Sequence, residues 1–189
     1  IPEVEFSIMG VSYENEENYL SYGSFDNKKN KILKEKNYEQ NNLKEVDWVV
    51  GCSMLIDTNK INTSKLFDEN IFLYFEEIDF CRQTKIKGGK IYSSSKLVVK
   101  HLGHKGSAAT DPNYTIETEM FRNWHWMWSS FYYHKKYSNY LLAIKMMFGK
   151  FIKSFFKMIF FTIIFNKKKQ TMYYARFSGL LNAFMGKKS

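Results

Sequence analysis

The sequence predicts an α/β fold followed by amphipathic α-helices, and three observations lead to this class. Strand-like segments at residues 3–12 and Glu45–Asp57 stand on either side of a polar region. A helix-like acidic segment and a further strand-like region come next, an order typical of α/β domains. From Thr115 to Phe165 the chain reads as helix, with no Pro and one Gly. Hydrophobic residues at 44% and aromatic residues at 18% exclude a disordered chain.

The first part of the chain predicts two strand regions separated by a long loop. Residues 3–12, EVEFSIMGVS, alternate apolar and polar side chains as a half-buried strand does. Residues 13–42 are polar and rich in Asn, so we expect a partly ordered loop with one short hairpin. The apolar, β-branched run Glu45–Asp57 predicts a buried strand interrupted at Gly51. Gly51 marks either a simple bulge or a close approach of the backbone to a ligand or another segment.

The segment FDENIFLYFEEIDFCRQTKIKGG, residues 67–89, concentrates carboxylates in a chain of net charge +9. Its first thirteen residues hold five acids and no base, namely Asp68, Glu69, Glu76, Glu77 and Asp79. Neighbouring carboxylates raise one another's pKa unless a cation or a proton offsets them, so the cluster is either a solvated face or a site. We expect a loop that becomes a helix at about Glu76 and ends at Gly88-Gly89, with Lys85 and Lys87 in its last turn.

The remainder of the chain predicts a second strand region and then helices. Residues 90–101 read as two short strands that end at His101, and a Gly-rich turn follows. The helical character begins at Thr115. We therefore divide the chain into an α/β domain at residues 1–118 and a helical region at residues 119–189.

Charge is distributed unevenly along the chain. Residues 120–189 contain thirteen Lys or Arg and no Asp or Glu, whereas the preceding residues hold all nineteen acids. Such asymmetry indicates a polyanionic partner, either nucleic acid or an anionic membrane. The apolar run Met158–Phe165 is far shorter than the roughly 20 residues that span a bilayer. Because the bases lie beside apolar runs, we favour a helix in an anionic membrane surface over nucleic acid, with an ordinary core helix as the alternative.

The cysteines and the N-terminus bear on the compartment. We interpret Cys52 and Cys81 as buried thiols of a reducing compartment, with a disulfide as the alternative. A zinc site from both cysteines, His101 and His104 lacks any CxxC spacing to support it. The N-terminus is acidic and has no apolar signal-peptide core. We therefore expect a cytoplasmic protein attached peripherally to the inner face of the cell membrane.

Four segments together resemble a known family: VDWVVGCSMLI, FDENIFLYFEEIDFCRQTKIKGG, VVKHLGHKGS and RNWHWMWSSFYYHKK. In this order, they resemble the C-terminal half of a family 2 glycosyltransferase of the rhamnosyltransferase-like branch, over residues 46–136. The resemblance implies a GT-A (Rossmann-like) domain at residues 1–118. It also implies inverting transfer of a sugar from a nucleotide-diphosphate sugar to a lipid-linked glycan, in cell-surface polysaccharide synthesis.

The resemblance also implies roles for individual residues. The acidic motif is Glu76-Glu77-Ile78-Asp79, and its second acid, Glu77, is the catalytic base; the family usually has Asp there. His101 is expected to complete the site of a divalent cation, Mn²⁺ or Mg²⁺. The segment Trp48–Gly51 borders the sugar and acceptor pocket, with Cys52 in place of the usual Ala. The family's Arg beyond the acidic motif corresponds to Arg82, one place early.

One part of the family pattern is absent from this sequence. The nucleotide-binding βαβ region and the metal-carrying Asp-x-Asp do not precede Val46. Since the sequence also opens at Ile1 instead of Met, we expect the acceptor-side half of an enzyme, without a complete donor site. The alternative is a membrane-associated binding module without catalytic activity.

Overall fold

The computed structural model describes residues 4–14, 22–35, 43–61, 65–100 and 116–189, and these ranges contain seven strands and four helices. The chain divides into two compact units. The first comprises Ile1–Asp68 and Glu76–Gly103, and the second comprises Glu69–Phe75 and His104–Ser189. The predicted α/β class with helices after it is confirmed. The predicted boundary at residue 118 stays a prediction, because residues 101–115 lie outside the described ranges.

The first unit holds all strands of the described ranges in two sheets. The strands are β1 (Ile8–Glu14), β2 (Tyr22–Asp26), β3 (Lys31–Lys34), β4 (Leu43–Glu45), β5 (Trp48–Val49), β6 (Met54–Ile56) and β7 (Ile91–Lys100). The larger sheet has the order β4-β7-β1-β6, and the smaller antiparallel sheet has the order β3-β2-β5. In the larger sheet β1 runs parallel to β7 and antiparallel to β6. Ile8 and Ile91 are opposite each other in the parallel pair, and both are fully buried.

Strand β7 is one strand where the sequence predicted two. Its register against β1 shifts, since Val11 pairs with Ser94 and Ser12 pairs with Val98. The register skips residues 95–97 of β7, and the two halves of the strand remain in the same sheet. The run of serines at residues 93–95 separates the two apolar parts of β7.

The segment from Glu45 to Asp57 holds the last residue of β4 and the strands β5 and β6. The predicted interruption at Gly51 is confirmed as the turn between β5 and β6, but the prediction of one strand was wrong, because β5 and β6 belong to different sheets. The chain leaves the larger sheet between two residues: Val46 N donates to Ile91 O at 2.9 Å, and Asp47 N donates to Gly23 O at 2.9 Å. The Asp47 carboxylate also accepts from Phe25 N at 2.8 Å. The predicted hairpin within residues 13–42 is confirmed as β2–β3.

Helix α1 (Glu76–Ile86) begins at the predicted residue. It has three acids in its first turn and Lys85 in its last, an arrangement that the helix dipole favours. Gly88 has a φ of +83°, and the amides of Gly88 and Gly89 donate to Lys85 O and Thr84 O. Only glycine adopts this left-handed backbone without strain, so the predicted end of the helix is confirmed.

The second unit consists of three long helices and the segment Glu69–Phe75. The helices are α2 (Ile116–Tyr137), α3 (Tyr140–Ile163) and α4 (Lys167–Phe184). Side-chain oxygens of Asn139 and Asn166 accept from the amides of Leu142 and Lys169, and thereby cap α3 and α4. The helices enclose an apolar core of Met127, Trp128, Phe131, Ala143, Met147, Leu180 and Ala183. None of the described helices combines the length and the apolar character that crossing a bilayer requires.

Residues 69–75 are held against α2 by hydrogen bonds and ring contacts. Ser129 Oγ donates to Leu73 O at 2.8 Å, and Arg122 Nε donates to Tyr74 Oη at 2.7 Å. The Phe75 ring packs 5.5 Å from the Trp126 ring. Tyr74 and Phe75 have φ values of 65° and 73°, a conformation that strains side chains of this size.

Candidate active site

The candidate active site lies in the first unit, where the turn after β5 meets the first turn of α1. A Cβ atom placed on Gly51 would lie 3.1 Å from Glu77 Cβ, closer than ordinary side-chain contacts. The backbone at Gly51 therefore passes directly against the Glu77 side chain. Of the alternatives that the sequence left open for this glycine, the structure shows a close approach to another chain segment.

The Glu77 carboxyl has a pKa raised to about 7. Desolvation by burial is the main cause, and the neighbouring charge of Glu76 adds to it. Hydrogen bonds from the amides of Glu77 and Ile78, and the positive charge of Lys34, act in the opposite direction. A carboxyl with this pKa is ionised in about half of the molecules at neutral pH, which suits a general base that must accept a proton and then release it.

Glu76 is half-buried beside Glu77, and desolvation also raises the pKa of the Glu76 carboxyl. Its Oε2 atom is buried and has no hydrogen-bond partner within the described part of the chain. A buried carboxylate oxygen without a partner is costly, and a cation or an incoming hydroxyl would satisfy it. The N-terminal end of α1 favours negative charge at both acids.

Asp79 and Arg82 lie on the buried side of α1. Asp79 is 2% exposed, so it lies within the interior of the unit. Arg82 Nη1 donates to Asn30 Oδ1 at 2.6 Å, and its guanidinium lies 5.3 Å from the Phe25 ring centroid. These contacts hold the β2–β3 hairpin against α1. Asn30, in the turn of the hairpin, has a left-handed φ of 49°. The acceptor role expected for Arg82 stays a prediction.

Trp48 is also part of the interior. Its side chain is 2% exposed, and Nε1 donates to Leu33 O at 3.2 Å. The expected role at the sugar and acceptor pocket stays a prediction, and no open face of the indole ring supports it.

The two cysteines are free thiols, as predicted, but they differ in exposure. Cys81 is buried, its pKa is raised to about 12 by desolvation, and Sγ lies 4.0 Å from Val49 O. Cys52 is exposed in the turn that follows Gly51, so the prediction that both thiols are buried was wrong for Cys52. Partial desolvation and the nearby charge of Glu77 raise the pKa of Cys52, which places this thiol at the candidate site.

The predicted metal ligand, His101, lies outside the described residues, as does His104. Within the described ranges, no three His, Cys, Asp or Glu side chains are grouped to hold a metal ion. The divalent cation therefore stays a prediction.

Sequence reasoning missed Lys34, at the end of β3. Its positive charge acts on the Glu77 carboxylate. Lys34 stands in a Lys-rich stretch for which the sequence predicts a partly ordered loop with one short hairpin, and its neighbours in sequence do not distinguish it. Its position depends on the β2–β3 pairing, in which Lys34 lies opposite Gly23.

No protein-family model, curated protein or solved structure matches the chain. The likeness to family 2 glycosyltransferases therefore rests on the four sequence segments alone.

Proposed function

We propose that this chain is the acceptor-side, C-terminal part of an inverting glycosyltransferase with a GT-A fold. It would transfer a sugar from a nucleotide-diphosphate sugar to a lipid-linked glycan, at the cytoplasmic face of the cell membrane. The observation that carries the proposal is the Glu77 carboxyl, partly buried against Gly51 with a pKa of about 7. Catalytic bases are commonly tuned towards neutral pH by burial and by neighbouring charge, as this one is.

In the proposed reaction, ionised Glu77 accepts the proton of an acceptor hydroxyl. The hydroxyl oxygen forms its new bond to the anomeric carbon on the face opposite the nucleotide. The bond from that carbon to the diphosphate oxygen breaks, and the nucleoside diphosphate leaves with the electron pair. A positioned base of this kind contributes on the order of 10²–10⁴ to the rate.

A divalent cation, Mn²⁺ or Mg²⁺, belongs to the same proposal. When bound, it would neutralise charge on the departing diphosphate. Glu76 fits this role because its carboxylate oxygen is buried without a partner in the described residues, and oxygen is the ligand that such hard cations prefer. The resemblance adds His101 as the second candidate ligand.

The alternative is a membrane-associated binding module without catalytic activity. The binding module is favoured by the positions of Trp48 and Arg82, which were expected to border the pocket. Both side chains instead make hydrogen bonds in the interior of the first unit. An enzyme would then have to build its acceptor pocket from other side chains.

A turnover assay separates the two proposals. The full-length protein that contains this chain would be incubated with Mn²⁺, a lipid-linked acceptor and a panel of UDP-, GDP- and dTDP-activated sugars. A transferase releases nucleoside diphosphate only when the acceptor is present, and its product has inverted anomeric configuration. Absence of release with every donor, together with retained vesicle binding, would support the binding module.

A further inference from the structure

Helix α3 has two different long faces within the second unit. Its inner face includes Ala143, Met147 and Ser154, which are buried, and Phe151 packs against the same core. Its opposite face carries large apolar side chains at spacings of three, four, seven and eight residues, which place them on one side of a helix. We call this the outward face of α3: Leu141, Phe148, Phe156, Ile159, Phe160 and Ile163.

The outward face is exposed along the helix. Leu141, Phe156 and Ile163 are 76%, 63% and 67% exposed. Single exposed apolar residues are ordinary on protein surfaces, but a continuous stripe of them marks a surface that another phase or partner covers.

The turn after α3 extends this apolar surface. Phe165 is 93% exposed and has a left-handed φ of 55°. Its amide donates to Thr162 O at 3.1 Å, and the amide of Asn166 donates to Phe161 O at 3.0 Å. The turn therefore holds an aromatic residue in a left-handed conformation with its side chain almost entirely in solvent, where it gains nothing from the core.

The charged residues near the outward face of α3 indicate what kind of partner covers it. Exposed Lys145 and Lys153 lie on α3, exposed Lys167 and Lys168 begin α4, and the sequence contains no acid after Glu119. A second copy of the same face would bring like charges together, which disfavours self-association. An anionic bilayer offers both an apolar phase for the side chains and phosphate groups for the lysines.

We propose that the outward face of α3 and Phe165 dock onto an anionic phospholipid bilayer, with α3 lying parallel to the surface. The aromatic and aliphatic side chains enter the acyl boundary, and the lysines stay at the level of the phosphates. The inference uses only the second unit, so it holds or fails independently of the proposed transferase activity.

Vesicle co-sedimentation of the full chain tests the apolar part of the surface. The test variant is Phe156→Gln/Phe160→Gln/Ile163→Gln, in which the replaced side chains are 54–67% exposed. The control is Leu55→Gln/Ile86→Gln/Val98→Gln, at 52–65% exposure in the first unit. On phosphatidylglycerol-containing vesicles, we expect the test variant to bind about 10²-fold more weakly and the control to bind as wild type. Equal binding by both variants overturns the proposal.

The lysines are tested in the same assay against salt. Lys153→Gln/Lys167→Gln/Lys168→Gln should weaken binding to anionic vesicles by about 10²-fold at low salt, whereas Lys28→Gln/Lys29→Gln/Lys31→Gln in the hairpin should not. High salt should weaken wild-type binding without abolishing it, since salt does not screen the apolar contribution. Equal binding to phosphatidylcholine and phosphatidylglycerol vesicles would contradict the electrostatic part.

A near-native variant keeps the proposal testable should the triple variants unfold. Phe165→Cys in a Cys52→Ser background would carry an environment-sensitive fluorophore, with the label at Lys28→Cys as the control. Anionic vesicles should shift the emission of the label at position 165 to the blue and leave the control unchanged. An unshifted label, or a dimer in solution that the apolar triple variant disrupts, would assign the surface to another use.

Discussion

Glu77 shows how the surroundings of a single carboxyl change its ionisation. Its pKa rises from the ordinary value of 4.5 to about 7, chiefly because burial removes the water that would stabilise the charge. The neutral form is therefore the one that suits the folded protein, and ionisation at higher pH opposes folding. A buried carboxyl that ionises near neutral pH lowers the free energy of unfolding. Groups at functional sites often have such a cost.

The raised pKa of Glu77 makes the stability of the protein depend on pH. A carboxyl with a raised folded-state pKa stabilises fully below pH 4.5, and that contribution is lost as the pH rises through about 7. Glu77→Gln should therefore raise the free energy of unfolding on the order of 1–2 kcal/mol at about pH 8, and change it little near pH 4.5. Urea denaturation at both pH values measures the difference. A variant that is less stable than wild type at the higher pH would contradict this account of Glu77.

The sequence indicated which residues of the site are acidic, but not which side of an element each one faces. Glu76, Glu77 and Asp79 all have a carboxyl group. In the structure, however, Asp79 is buried and the Glu77 side chain packs against Gly51. Trp48 and Arg82 resembled pocket residues because of their position in motifs. Their hydrogen bonds to Leu33 O and Asn30 Oδ1 depend on the β2–β3 hairpin, which local sequence does not encode in atomic detail.

At the scale of elements, local signals predicted α1 and the β2–β3 hairpin, but not the division of the chain between them into β4, β5 and β6. The helix carries its own start and end, in its acidic first turn and in Gly88. Strands β4, β5 and β6 take their identity from their partners, so the step from one sheet to the other at Val46 and Asp47 was not predictable. The prediction of helical structure from Thr115 did not locate the breaks between the three later helices, which coincide with the N-caps Asn139 and Asn166.

The meeting of the Gly51 turn with α1 predicts a mutational effect. Gly51→Ala adds a methyl group 3.1 Å from Glu77 Cβ, so the carboxylate must move by a few tenths of an ångström. We expect kcat to fall about tenfold, because a base must stay aligned with the proton that it accepts.

The control is Gly149→Ala, where an added Cβ meets no described atom within 4 Å. Inside α3 this change should raise stability by about 1 kcal/mol through helix propensity, with kcat unchanged. The measurements are steady-state kinetics and urea denaturation of both variants. A wild-type kcat in Gly51→Ala would show that the close approach does not position Glu77.

At the scale of the whole chain, the carboxylates and the bases are unevenly distributed along the sequence. All nineteen acids precede residue 120, and the candidate site lies among them, whereas the later residues are basic and expose an apolar stripe. The sequence alone predicted this division of charge. It also predicted that the apolar run Met158–Phe165 is too short to span a bilayer, and none of the described helices could span one. It did not predict which face of α3 is exposed, because that depends on the packing of α2 and α4 around the inner face.

The central claim is that Glu77 is the base of a glycosyl transfer, and kcat of Glu77→Gln in the full-length protein tests it most directly. Glu117→Gln, at an exposed acid on α2, is the matched control, and Glu77→Asp restores the acid that the family usually has. We expect Glu77→Gln to lower kcat on the order of 10² or more with donor affinity unchanged, and to remove the fall in rate below about pH 7. A kcat within a few-fold of wild type, with that fall retained, would remove Glu77 from the role.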